Sequence, residues 1–177
     1  MDINIRTEIV ADYPKVFNII EQAFRTEELS DHKEQFLANR LRLSGSFIPE
    51  LSLVAEIDGE VAGHILLTKI SICDGDIKHQ SLALAPVSVL PEYQGRGVGS
   101  ALIKAAHTKA IALGYGSVVI LGHKDYYPRF GYKTASQFGI SLPFDVPEEY
   151  VMAVELTPNA FDDVRGVVEY DTAFSEE

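Results

Sequence analysis

The stretch Val87-Ser88-Val89-Leu90-Pro91-Glu92-Tyr93-Gln94-Gly95-Arg96-Gly97-Val98-Gly99-Ser100 reads as the end of a buried strand, a glycine-rich turn and the start of a helix. Glycines alternate at 95, 97 and 99. A tight strand-to-helix turn alone explains one or two of them. Three in alternation leave the backbone bare, so that a ligand can approach its N–H groups closely. The helix start adds N–H donors without intrahelical partners and the positive end of the helix dipole. Together these features make an anion site, most often one for phosphate or pyrophosphate.

Two common phosphate motifs fail here. The Walker pattern needs Gly-Lys-Ser/Thr after its last glycine, but Gly99 is followed by Ser100-Ala101-Leu102. The dinucleotide fingerprint needs G-x-G-x-x-G, and the spacing here is G-x-G-x-G. Gln94, Gly97 and Gly99 instead resemble the acetyl-CoA signature Q/R-x-x-G-x-G/A of the GCN5-related N-acetyltransferases, the GNAT family. The preceding Val-Leu-Pro-Glu-Tyr run is similar to that family's lead-in. The resemblance implies acetyl-CoA as cosubstrate, with its pyrophosphate on the amides of residues 95–100. It assigns the cofactor contacts to Val87, Ser88, Val89, Gln94, Gly95, Arg96, Gly97, Val98, Gly99 and Ser100. Arg96 then pairs with a CoA phosphate, or simply faces solvent.

Upstream of the loop, the chain reads as an antiparallel meander. Residues 51–57, 61–72 and 78–89 are strands, separated by Asp58-Gly59, a strong hairpin turn, and by Asp74-Gly75-Asp76. Pro86 falls inside the last strand and has no N–H for a ladder, so a bulge or an unpaired edge is expected there. Further back, Ile3 and Ile5 alternate as in a short first strand. Asp12 and Pro14 suit the start of a helix over about 12–24, with Val16, Ile20, Ala23 and Phe24 inward. Ser30 or Asp31 suits the cap of a second helix, with Phe36, Leu37 and Leu41 inward, ended by Ser44-Gly45-Ser46.

Downstream, residues 97–113 read as a helix ended by Gly114, with Val98, Ala101, Leu102, Ala105 and Ala106 inward. Residues 117–121 are a continuous apolar run and hence a buried strand. Strand, helix and strand over 82–121 form a βαβ unit with a parallel pair. A short helix is expected near 124–130, then strands over 132–140 and 150–157, then a tail with Val167-Val168-Glu169-Tyr170 packed on the domain. The fold class is α/β, with a mixed, mostly antiparallel sheet flanked by helices. The GNAT resemblance further implies splayed central strands. Residues 1–177 suit a single domain.

Gly122-His123-Lys124-Asp125-Tyr126-Tyr127-Pro128-Arg129-Phe130-Gly131-Tyr132 is the other informative stretch. Tyr127, Gly131 and Tyr132 resemble the family's Tyr-x-x-x-Gly-Phe/Tyr element. The fuller run is similar to a subgroup of bacterial acetyltransferases. Moving an acyl group from a thioester to an amine needs a polarised carbonyl, a neutral amine and a protonated leaving thiolate. A backbone N–H near Val89 serves the first need. The resemblance assigns the last to the Tyr127 hydroxyl as general acid; a tyrosine merely packed on its helix is the reading for Tyr126. The strand before the loop carries no acid or histidine to act as base, unlike some family members. Glu21, Glu56, His64 and His123 are conceivable bases, but each is better explained as a solvated helix acid, a strand-edge acid or a histidine hydrogen-bonded at an element end, and deprotonation through water is an equal route.

The formal net charge of −11 argues against nucleic acid as partner, because phosphate binding needs a basic face. Residues 145–177 alone carry ten acids and one base, Arg165. That excess is compatible with a cationic acceptor. No apolar run reaches membrane-spanning length, and the N-terminus lacks a signal design. A single cysteine, Cys73, fits a reducing cytoplasm and strand packing rather than nucleophilic chemistry. His32, His79 and His107 show no metal spacing. The partner expected is a small-molecule or peptide amine, with no nucleic acid, no membrane and no metal; a homodimer remains open. Two functions follow: an acetyl-CoA-dependent N-acetyltransferase working by direct attack of the amine, or a catalytically silent acyl-CoA-binding sensor. A nucleotide-binding module is disfavoured by the glycine spacing and the missing lysine.

Overall fold

The structure is a computed structural model that describes residues 1–28 and 30–175. It divides into two compact units, Met1–Thr68 with Ala85–Lys109, and Lys69–Leu84 with Ala110–Glu177.

In the first unit, β1 (Ile3–Thr7) leads to α1 (Tyr13–Phe24) and α2 (Glu34–Arg42). Strands β2 (Ser52–Ile57), β3 (Glu60–Asp74) and β4 (Ile77–Val89) follow, and then α3 (Val98–Ala112). β1 lies antiparallel to β2, with Ile3 opposite Ile57 and Thr7 opposite Leu53. The β2–β3 turn places Asp58 at φ 53° and Gly59 at φ 81°, the paired positive values that a tight two-residue hairpin requires. The β2–β3 register steps by one between Ala55–Gly63 and Glu56–Val61, which leaves Ala62 as the extra residue of a bulge. Pro14 sits in the first turn of α1, as read from the sequence. The buried face of α1 is Val16, Ile19 and Ile20.

Two local expectations fail in this unit. Asp12 makes no side-chain cap on α1. Its carboxylate is instead held by Arg6 at 2.8 and 2.9 Å and by the Ile9 N–H at 2.8 Å. The second helix begins at Glu34 without a side-chain cap, and its buried face is Gln35, Ala38 and Leu41. Phe36 turns outward, 49% exposed, and packs edge-on against Phe17 at 5.3 Å.

In the second unit, the later half of β3 turns at Gly75 (φ 60°) into the first half of β4. β5 (Ser117–Leu121) runs parallel to β4, Leu82 beside Val118 and Ala83 beside Val119. Three residues past Ala83, Pro86 brings no N–H, and the Ala85–Pro86 peptide is cis. The region read as one strand over 132–140 is broken. It comprises β6 (Lys133–Thr134), a 3-10 turn at Ala135–Phe138 and β7 (Ile140–Ser141). Gly139 at φ 72° ends the turn, a conformation open to glycine but strained for most residues. β8 (Val151–Glu155) pairs antiparallel with all of β5 and with β6. β9 (Gly166–Glu169) lies antiparallel to Ser71–Cys73 of β3 and parallel to β7. The tail is thus a strand whose Val168 is 1% exposed. The core here is built on Ile72, Val119, Ala153, Phe161 and Val168. The fold is mixed α/β with mostly antiparallel strands.

Candidate functional site

The glycine-rich loop hangs between a pinned strand end and a docked helix. The Leu90 N–H donates to the carbonyl of the bulged Ala62 at 2.9 Å, which fixes where β4 stops. A 3-10 turn over Pro91–Tyr93 follows. The Gln94 side-chain amide then reaches back to donate to the Val89 carbonyl at 3.0 Å. Gln94 therefore closes the loop on itself, a role that its place in the signature did not reveal. Gly95 and Gly97 stand at φ 76° and 84°, and a side chain built on either would meet no atom within 4 Å. The backbone thus bends as only glycine readily does, beside open space. The Gly97 carbonyl accepts the Ala101 N–H at 3.0 Å, so α3 begins at the loop and its first-turn amides lack intrahelical acceptors. Behind them, Val98 and Leu102 seat on Gly63, where an added methyl would come within 3.1–3.2 Å of Leu102, Val98 and the Ser88 carbonyl.

Of the expected cofactor contacts, Gln94 to Gly97 are exposed, Gly99 and Ser100 half-buried, and Val98 buried. Val87 and Val89 are half-buried and Ser88 is buried, its hydroxyl without a hydrogen-bond partner in the described structure. The Arg96 guanidinium lies 5.9 Å from the Tyr93 ring centroid. The bare amides, the positive-φ glycines and the open space beside them fit a pyrophosphate.

In the second unit, Tyr127 opens a 3-10 turn, Tyr127–Phe130, ended by Gly131 at φ 94°. Tyr127 is buried, 8% exposed. Tyr126 and Tyr132 meet it edge-on at 5.1 and 5.6 Å, and Phe130 lies at 6.5 Å. Burial, and after it the neighbouring Tyr126, pushes the Tyr127 phenol well above its ordinary range, so it is fully protonated at neutral pH. Tyr126 is half-buried, and Arg129 stacks on its outer face at 4.5 Å while donating from Nε to its carbonyl at 2.8 Å.

The conceivable bases fare differently. Glu21 is exposed on α1. Glu56 accepts from Arg6 at 2.7 Å, a bond that holds its carboxyl below the usual range. His123 lies beyond the end of β5, its carbonyl accepting the Tyr126 N–H at 3.2 Å. His64 is fully buried in β3, in a cluster that the sequence did not reveal. Its Nε2 lies 3.0 Å from the Ser52 hydroxyl and 3.4 Å from Glu8. Ser52 donates to Glu8 at 2.8 Å. Burial pushes the imidazole down to about 4, so it is neutral. Enclosed in this way, it serves the core. Among the described residues no group of three metal-ligating side chains gathers, and no helix is long and apolar enough to cross a membrane.

The Acetyltransferase (GNAT) family matches residues 13–132, and the chain belongs to that family. It is 39% identical over 122 residues to the uncharacterized N-acetyltransferase YjhQ of Escherichia coli (strain K12), covering 67% of this chain and 66% of that protein. It is 28% identical over 172 residues to the uncharacterized N-acetyltransferase YhbS of the same strain, covering 97% and 98%. The Escherichia coli YhbS crystal structure in complex with CoA superposes with a TM-score of 0.88 at 27% identity over 98% of this chain and 92% of that one. A GNAT family acetyltransferase from Brucella melitensis in complex with acetyl-CoA gives 0.80 at 33% identity over 98% of both chains.

Proposed function

We propose that this protein is an N-acetyltransferase that moves the acetyl group of acetyl-CoA directly to an amine of a small molecule, amino acid or peptide. The observation that carries this reading is the loop at 95–100, with two positive-φ glycines beside open space at the start of α3. The relatives solved with CoA and acetyl-CoA support it.

In this reading the amides of residues 95–100 hold the pyrophosphate, and backbone N–H near Val89 faces the thioester carbonyl. The neutral amine attacks the carbonyl carbon, a C–N bond forms and the C–S bond breaks. Tyr127 gives its phenolic proton to the departing sulfur and regains one from solvent. The amine nitrogen loses its extra proton to solvent water, since Arg6 holds the Glu56 carboxylate and His64 is enclosed in the core. A buried phenol is a weaker acid than a free one, so its proton moves only as negative charge builds on sulfur.

The test is acetyl-CoA turnover against a panel of amines, following released thiol. Turnover with at least one amine class supports the reading. Tight acetyl-CoA binding with no turnover across the panel would favour the silent sensor.

A further inference from the structure

Tyr127 does not hold its place unaided. Gly122 directly follows β5, and its N–H donates to the Tyr150 carbonyl at 2.9 Å, so its backbone is anchored. A methyl on its α-carbon would lie 2.6 Å from Tyr127 Cε2, 3.2 Å from Cδ2 and 3.4 Å from Cζ, along one whole edge of the ring. The ring cannot retreat freely, because Tyr126, Phe130 and Tyr132 crowd around it. The backbone of Gly122 is outside the left-handed region, so alanine suits it conformationally. The absent side chain at 122 therefore serves the ring and not the turn.

We infer that Gly122 is a positioning residue: its bare α-carbon is the seat against which the Tyr127 ring is set, and any side chain there displaces the hydroxyl. This rests on Tyr127 being the general acid. A displacement of about 1 Å at a reacting group costs on the order of 10²-fold in rate.

The experiment is a double-mutant cycle with a separate view of the ring. Gly122→Ala, Tyr127→Phe and the double variant are compared for kcat and for the acetyl-CoA KM. The Tyr127 ring signal is followed by NMR with labelled tyrosine, assigned by its disappearance in Tyr127→Phe. The expected result is a ring signal that shifts in Gly122→Ala, kcat reduced roughly 10- to 100-fold and KM within about twofold. In the Tyr127→Phe background the same change costs no more than about twofold, because the group it displaces is already gone. An unmoved ring with unchanged turnover overturns the seat while leaving the acid role intact. A shifted ring with full turnover sinks the acid role instead. An equal loss in both backgrounds means that Gly122 acts elsewhere. If Gly122→Ala folds poorly, Tyr127→Leu, which removes the ring edge, should restore its melting temperature; no restoration also overturns the proposal.

Discussion

Arg42 grips both oxygens of Glu8, Nε to Oε1 at 3.0 Å and Nη2 to Oε2 at 2.7 Å, with the two side chains only 4% and 1% exposed. The guanidinium also lies 4.1 Å from the Tyr13 ring centroid. One pair thus joins α2 to the residue that follows β1, and Ser52 and His64 lean on the same carboxylate. A buried pair of this kind adds little net stability over an apolar pair, but breaking it strands a charge. Arg42→Ala should cost about 3–5 kcal/mol in urea unfolding. Arg42→Met combined with Glu8→Leu should cost clearly less, and equal losses would contradict a stranded charge as the cause.

His64 makes stability depend on pH in a defined window. Its folded value of about 4 lies below the ordinary 6.5, chiefly through burial. As pH falls from 6.5, the unfolded chain takes up the proton first, so the folded state loses stability down to about pH 4 and no further. Above 6.5 the effect vanishes. Between pH 7.5 and 5.5 the loss should be on the order of 1 kcal/mol. His64→Gln should lack this component, and the difference between the two denaturation series isolates it from the other histidines. Identical slopes would remove His64 from the account.

Gly97→Val should abolish acetyl-CoA binding while the fold survives. The side chain would enter open space that the proposed phosphate occupies, and its positive φ strains any β-branched residue. Gly59→Val is the control, because Gly59 has the same sign of φ, open space around it and no place in the loop. Calorimetry should show acetyl-CoA bound by the control and not by Gly97→Val. Normal binding by both would move the phosphate site elsewhere.

Tyr127→Phe should lower kcat by roughly 10²–10⁴-fold with little change in acetyl-CoA affinity, the usual worth of a positioned acid. Tyr126→Phe should be near neutral. Its phenol lies in a half-buried position, where Arg129 covers the ring rather than the hydroxyl's chemistry. Small and equal effects of the two substitutions would take Tyr127 out of the mechanism.

What could be read from the sequence was local. Asp58-Gly59, the Asp74–Asp76 turn and the alternation around them marked the meander, because turn chemistry and strand period act within a few residues. The glycines at 95, 97 and 99 marked the loop for the same reason. The rest depended on partners distant in sequence. Arg42, Ser52 and His64 come from three separate elements and Glu8 from the segment after β1, and nothing near any one of them announces the other three. Gln35 is buried on α2 while Phe36 is exposed, the reverse of their hydropathy, because neighbouring elements rather than residue type chose the face. Asp12 looked like a cap until Arg6 claimed its carboxylate. Gly122 looked like part of a motif, and only the ring packed against it shows why it has no side chain.

β9 also bears on solubility. Ser71–Cys73 would otherwise present unpaired N–H and C=O groups along a rim of the sheet, and such a rim invites strands from other molecules. Gly166 makes the closure possible: a methyl there would overlap the Cys73 carbonyl, so no other residue lets the tail lie this close. Lys78 reaches across to Glu169 at 2.9 Å on the outer surface. The last strand thus works as a hem on the sheet, and a protein cut before residue 166 should self-associate in light scattering even where its core remains folded.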